Sequence, residues 1–248
     1  MEPDKNIYFA SDFHLGAPNH KESLEREKLI VKWLDSIKST AKELFLLGDI
    51  FDFWFEYNRA VPKGFTRFLG KIAEFTDDGI PVHFFLGNHD MWVFDYLPKE
   101  TGMRIHTHFY EATWGGKSFY LAHGDGLGPG DWSYKLLKSI FRNRFSQWLF
   151  GRLHPNFGIW IAHKWSHSSR ISNGEPDYFR GEDKEMLVQY SRDILKEKHY
   201  DFFIYGHRHT PIDYPLNANS RYVNLGDWIK HSTYARFDGK ELHLESFK

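Results

Sequence analysis

The chain has 248 residues, carries 32 Lys or Arg against 33 Asp or Glu, and has no cysteine. This length suits one domain with a sizeable core, while the near-zero net charge excludes a molecule-wide field that binds nucleic acid indiscriminately. The missing cysteines exclude disulfides and thiolate metal sites, which fits a reducing compartment.

The opening MEPDKNIYFA has neither the basic start nor the apolar run of a signal peptide. No 18-residue apolar run is present to span a bilayer, so a cytosolic globular protein is expected. IYFAS at 7–11 predicts a first buried strand, and Leu24, Lys28, Val31 and Leu34-Asp35 mark a helical stretch after it. ELFLLG at 43–48 predicts a second strand, residues 63–76 a second helix, and PVHFFLG at 81–87 and SFYLAHG at 118–124 two further strands. Helical spacing returns at 182–198, followed by strands FFIYGH at 202–207 and RYVNLGD at 221–227. TYARFDGKELHLESF reads as a β-hairpin turning at Asp238-Gly239. Strands alternating with helices predict an α/β fold, a sheet layered with helices.

The residues that follow these strands carry the chemistry. After the first come Asp12 and His14; after the second, Gly48-Asp49 and Asp52; after the third, Asn88, His89 and Asp90; after the fourth, His123-Gly124-Asp125; after FFIYG, His207-Arg208-His209. Carboxyl ends of strands form the ligand crevice of open α/β sheets. Each fragment alone has an ordinary explanation: Asp-x-His as a turn, Gly-Asp-x-x-Asp as a helix cap, His-x-His as two surface residues on one face of a strand. Five in order, all at strand ends, point to one site. Oxygen and imidazole donors without thiolate suit Mn, Fe or Zn. Asp12, His14, Asp49 and His209 can hold one ion, and Asp49, Asn88, His123 and His207 a second, with Asp49 as the bridge. Two such ions clamp the attacking and leaving oxygens of a displacement at phosphorus. His89 is then a spare imidazole, placed as acid or electrophile, with Asp90 to orient it and Asp52 as an outer acceptor.

This motif set resembles the calcineurin-like metallophosphoesterase superfamily over nearly the whole chain. The resemblance implies a four-layer α/β/β/α sandwich spanning 1–248 with a dinuclear site, the helical region at 127–180 being a cap inserted within it. GDIFDFW, HGDGLGPGDWSY and the helical insertion before GHRHTP are similar to the UDP-2,3-diacylglucosamine hydrolases of lipid A biosynthesis. That resemblance implies cleavage of an acylated nucleotide-sugar pyrophosphate to UMP and diacylglucosamine 1-phosphate, two manganese ions, and acyl chains held under the cap. It implies substrate contacts from Asn88, His89, Asp131, Ser169, Asn173 and His207, and a peripheral place on the cytoplasmic face of the inner membrane. Two departures stand out: the family usually has Arg where this chain has His89, and a cap Lys is replaced by Pro176 or its neighbours. Arg offers phosphate a fixed charge and a bidentate fork that His lacks.

From Trp132 to Gly174 the chain has no acid, seven Lys or Arg and nine Phe, Trp or Tyr, as in KSIFRNRFSQWLFGRLH at 138–154. On a helical wheel Lys135, Lys138 and Arg142 form one stripe opposite Leu137, Ile140, Phe141, Phe145 and Trp148, while Trp132, Leu136, Leu149 and Phe150 spread further round. A helix packed only on its own domain needs one apolar stripe. The surplus suits acyl chains, a bilayer surface or a second subunit, with Lys135, Lys138, Arg142 and Arg144 favouring anionic surfaces. Stacked bases would use aromatics too, but Leu and Ile between the aromatics favour a greasy cap, so no nucleic-acid partner is expected.

Overall fold

A computed structural model describes residues 5–128, 132–172 and 178–248, without the side chains of 133, 163 and 165–172. Strands β1 (Asn6–Ala10), β2 (Ala41–Leu46), β3 (Val82–Phe85) and β4 (Arg104–His106) run parallel in one sheet. The hairpin β10 (Thr233–Phe237) and β11 (Leu242–Ser246) extends it antiparallel beyond β1, giving the order β11-β10-β1-β2-β3-β4. A second sheet has the order β5-β6-β7-β9-β8. Its strands are β5 (Tyr110–Trp114), β6 (Lys117–Ala122), β7 (Phe202–Tyr205), β8 (Pro211–Asn217) and β9 (Ser220–Leu225), with β6, β7 and β9 parallel.

Three apolar layers hold these sheets. Ile7, Phe9, Phe45 and Phe85 of the first sheet meet Phe119, Leu121, Phe202, Ile204 and Val223 of the second. The intervening residues Tyr8, Ala10, Leu44, Leu46 and Phe84 face outward onto Ile30, Trp33, Leu34 and Ile37 of α1 (His20–Lys38) and Phe68, Ile72 and Phe75 of α2 (Thr66–Asp77). On the other side Tyr120, Phe203, Tyr205 and Tyr222 pack against Leu187 and Val188 of α7 (Met186–Leu195). The layering is α/β/β/α. It explains why the strands read as unbroken apolar runs rather than alternating ones: both faces of each are covered.

The sequence misses the short helix α3 (Tyr96–Thr101) and strands β4, β5 and β8. Strands β5 and β8 lie at the edges of the second sheet with exposed residues every second or third position, and Pro211 and Pro215 in β8 suppress any strand signal. The helix expected from 182 begins at Met186, after a turn in which Gly181 takes φ 91°. Between β6 and α7 stand α4 (Trp132–Arg142), α5 (Arg144–Phe150) and α6 (Pro155–Ser172).

At the end of the first sheet His106 stacks on His83, with His83 Nδ1 2.8 Å from His106 Nε2. Burial, then the neighbouring His83 and Arg104, push the His106 imidazole down to about 4 from its ordinary 6.5. Between these values the unfolded chain binds a proton here that the fold refuses, so stability falls as pH drops through that window. Above pH 6.5 the group contributes no slope. Thermal midpoints measured from pH 7 to 4 are expected to fall less steeply in His106→Phe than in wild type; parallel curves would show that His106 does not set this slope.

Candidate metal centre

The carboxyl ends of β1, β2 and β3 in one sheet and of β6 and β7 in the other converge on one rim of the sandwich. There the ligand atoms of Asp12, His14, Asp49 and His209 lie within 4.8 Å of one another, as do those of Asp49, His123 and His207. Asp49 belongs to both groups. Its Oδ2 lies 3.4 Å from His123 Nε2 and 3.9 Å from His14 Nε2. Asn88 joins the second group, with Oδ1 3.0 Å from His207 Nδ1 and 3.3 Å from His123 Nε2.

The backbone bends hard to make this happen. Seven non-glycine residues among those described have positive φ, and five of them are Asp12, His14, Asp49, His207 and His209. Such conformations cost on the order of 1–3 kcal/mol each and persist where the surroundings over-determine them. Interlocking loops provide this: Asp12 N–H donates to Gly48 O and His14 N–H to Asp49 O, both at 3.0 Å. The buried Arg26 of α1 donates to the carbonyls of Phe13 at 2.7 Å, His14 at 2.8 Å, and Ala17. Glycine is required where loops meet: a Cβ on Gly87 would overlap Asp49 Oδ1, and one on Gly48 would come within 2.6 Å of His123 Nδ1.

Partners one step out set the imidazoles. His123 Nδ1 donates to Leu47 O at 2.7 Å, which turns Nε2 towards Asp49 and Asn88. His14 presents Nε2 to the first group and Nδ1 to Asp52 Oδ1, 3.7 Å away. His89 Nδ1 donates to Asp52 O at 3.0 Å, and its Nε2 points towards Asp49 Oδ2 at 4.0 Å. Asp90 is buried beside this loop. Its carboxylate accepts from the amides of Gly87 at 2.9 Å, Ile50 at 2.7 Å, Phe51 at 3.2 Å and Asp49 at 3.3 Å, tying the loop after β3 to the loop after β2.

Charge in the cluster is lopsided. Burial alone would lower the His14 imidazole, but Asp12, Asp52 and Asp49 beside it raise it to about 10. His123 is raised to about 10 in the same way, burial being overcome by Asp49. Burial, then the neighbouring His123, lowers His207 to about 4. Burial opposes ionisation of Asp49, yet His123, His89 and His14 hold its carboxyl well below the usual range. The carboxylates call for positive charge at their centre, and cations would supply it. Geometry agrees: His14 Nε2 and His209 Nε2 stand 3.0 Å apart, the separation of two donors about 2.1 Å from one ion at roughly a right angle. The residues present fit two divalent ions.

Beside this rim, Phe53, Phe55, Met91 and Trp92, next in sequence to Asp52 and Asp90, pack with Phe141, Phe150, Ile159 and Ala162 of the inserted helices. Asp125, two residues past His123, receives Tyr134 Oη at 2.7 Å and pairs with Lys138 Nζ at 2.5 Å. Lys138 is thus spent on holding α4 and is not a free surface cation, because a buried carboxylate faces it. Lys135 donates to Gly128 O at 2.7 Å and Arg142 to Thr107 O at 3.4 Å. Trp132, Leu136, Ile140, Phe145, Trp148, Leu149, Phe157 and Trp160 remain exposed, Trp132 by 81% and Phe145 by 69%. Asp131, Asn173 and Pro176 lie outside the described residues, as does the side chain of Ser169.

Sequence reading misses Arg26, Glu185 and Arg208. Arg26 has a signal, a charge within the apolar stripe Ser23, Arg26, Ile30, Trp33 and Ile37 of α1. Arg208 has none, since it hides between two histidines of a motif already assigned.

The pattern of calcineurin-like phosphoesterases matches residues 5–211. The chain is 40% identical over 98% of its length to a UDP-2,3-diacylglucosamine hydrolase of Porphyromonas gingivalis, of which it covers 97%. It is 27% identical over 94% of its length to a protein of the same name from Shewanella pealeana, of which it covers 95%. Among solved structures, Yfce, a phosphoesterase from E. coli, matches with a TM-score of 0.45 at 16% identity, over 98% of this chain and 93% of that one. With its strand-end histidines and carboxylates gathered on one rim and the family pattern running through them, the chain belongs to the calcineurin-like phosphoesterases.

Proposed function

We propose that this chain is a two-metal hydrolase that cleaves the pyrophosphate of UDP-2,3-diacylglucosamine to UMP and 2,3-diacylglucosamine 1-phosphate. The observation that carries this reading is the juxtaposition of two donor groups sharing Asp49 with inserted helices rich in exposed apolar side chains. The names of the two relatives, matched end to end, support it. Asp12, His14, Asp49 and His209 hold one ion; Asp49, Asn88, His123 and His207 hold the other. The oxygen and imidazole donor set suits Mn, Fe or Zn, and manganese is the metal we assign among them, from the likeness to the UDP-2,3-diacylglucosamine hydrolases. Bound ions supply Lewis-acid polarisation of the phosphoryl oxygens. The chain's own share is to fix the imidazoles, keep Nδ1 of His89 engaged on Asp52 O, and leave Nε2 of His89 facing the reacting group.

Residues 127–180 form the cap in this reading, holding acyl chains on their apolar faces, with Asp131, Ser169 and Asn173 contacting the substrate. Among the described residues no helix is long and apolar enough to cross a membrane. Contact with an anionic cytoplasmic bilayer surface would instead use the exposed aromatics and their cations, such as Arg152 over Trp148 and Lys164 over Trp160. Hydrolysis of UDP-2,3-diacylglucosamine with manganese and detergent, read by mass spectrometry in oxygen-18 water, tests the reading. Manganese-dependent release of UMP and the lipid sugar phosphate is expected. Two bound metals and turnover of a generic diester, with none of the lipid substrate, would overturn it.

A further inference from the structure

Arg208 stands between two of the proposed ligands, and both flanking residues are left-handed, His207 at φ 69° and His209 at φ 58°. Its guanidinium is buried against the segment that precedes α7. Nε and Nη2 each donate to Glu185 at 2.9 Å, a bidentate pair in which Arg208 is 7% and Glu185 2% exposed. Arg208 Nη2 also reaches Tyr178 O at 3.4 Å, and Glu185 accepts the Arg180 amide at 3.1 Å. Residues 178–185 are the stretch by which the chain returns from the inserted helices to α7.

A buried ion pair is a poor device for stability alone, because desolvation offsets most of its attraction. It does specify geometry, since a planar fork meets a carboxylate in one orientation. From this geometry we infer that Glu185–Arg208 is a positioning pair that holds the His207–His209 turn in its ligating posture and ties it to the segment returning from the inserted helices. Without it, the two left-handed residues relax. His207 Nδ1 then leaves Asn88 Oδ1, now 3.0 Å away, and His209 Nε2 leaves Asp12 Oδ1, now 3.3 Å away. The inference rests on the reading of His207 and His209 as metal ligands.

The test is manganese titration by calorimetry on metal-free protein, well below its thermal midpoint. Three variants are compared with wild type: Glu185→Leu with Arg208→Met, which removes both charges together; Arg208→Lys, which keeps a charge without the fork; and Glu27→Gln, which weakens the buried cap on the Arg67 and Phe68 amides away from the site. Wild type and Glu27→Gln are expected to take two manganese ions with equal affinity. The double variant is expected to bind 10–100-fold more weakly, as removal of outer-shell partners does, with Arg208→Lys in between. If the double variant does not fold, Arg208→Lys carries the comparison. Wild-type affinity in the folded Arg208 variants would overturn the positioning role alone, whereas a wild type that takes no manganese would overturn the ligand reading beneath it.

Discussion

Asp49→Asn is expected to disrupt both metal groups at once and to cut turnover on the order of 10³-fold or more, since an ion at the reacting phosphoryl is worth several kcal/mol. The substitution keeps shape, and an amide oxygen can still accept the His89 N–H that Asp49 Oδ1 now receives at 2.9 Å. What it removes is the carboxylate oxygen that faces His123, His14 and His89 together. Equivalent changes at Asp12 or Asn88 strike one group each, so Asp49 stands apart. Metal analysis and thermal shift check this. Manganese at a hundredfold excess over its dissociation constant stabilises a one-site protein by about 2.7 kcal/mol, and that shift is expected to vanish in Asp49→Asn while the metal-free midpoint stays close to wild type. A variant that still carries two ions would show that Asp49 is not the bridge.

His89→Ala is expected to lower kcat by roughly 10²–10⁴-fold, the range of a positioned proton-transfer group, while two manganese ions still bind. Binding survives because the hydrogen bond from His89 to Asp49 comes from the backbone amide, which alanine retains. The lost group is an imidazole that is almost wholly buried, edge-on to His14 with ring centroids 4.9 Å apart, and held by a carbonyl that accepts only from a protonated Nδ1. Burial lowers its pKa despite the attraction of Asp49, and its Nε2 faces Asp49 Oδ2 at 4.0 Å. Full activity in His89→Ala would remove it from the mechanism. Loss of metal together with activity would make it a support for the ligands instead.

Much of this was legible in residue order. Apolar runs ending in glycine and then in Asp, Asn or His specify both a buried strand and what it delivers, because strand direction and burial are local properties of a few residues. The α/β class, the closing hairpin and the gathering of Asp12, Asp49, His123 and His207 follow from that. Edge strands β5 and β8 do not, since half their residues meet water and prolines interrupt the pattern.

Partnership was decided only by the tertiary structure. Asp12 accepts from the His207 amide across 195 positions of chain, and no spacing rule reaches so far. The same holds for the Asp52 carbonyl behind His89, for Lys138 drawn from a basic stripe onto Asp125, and for Glu185 clasping an arginine between two histidines. A sequence lists the charges a fold must bury. Which charges meet depends on loops brought together from opposite sheets, where burial leaves each polar group dependent on whatever partner the fold places beside it.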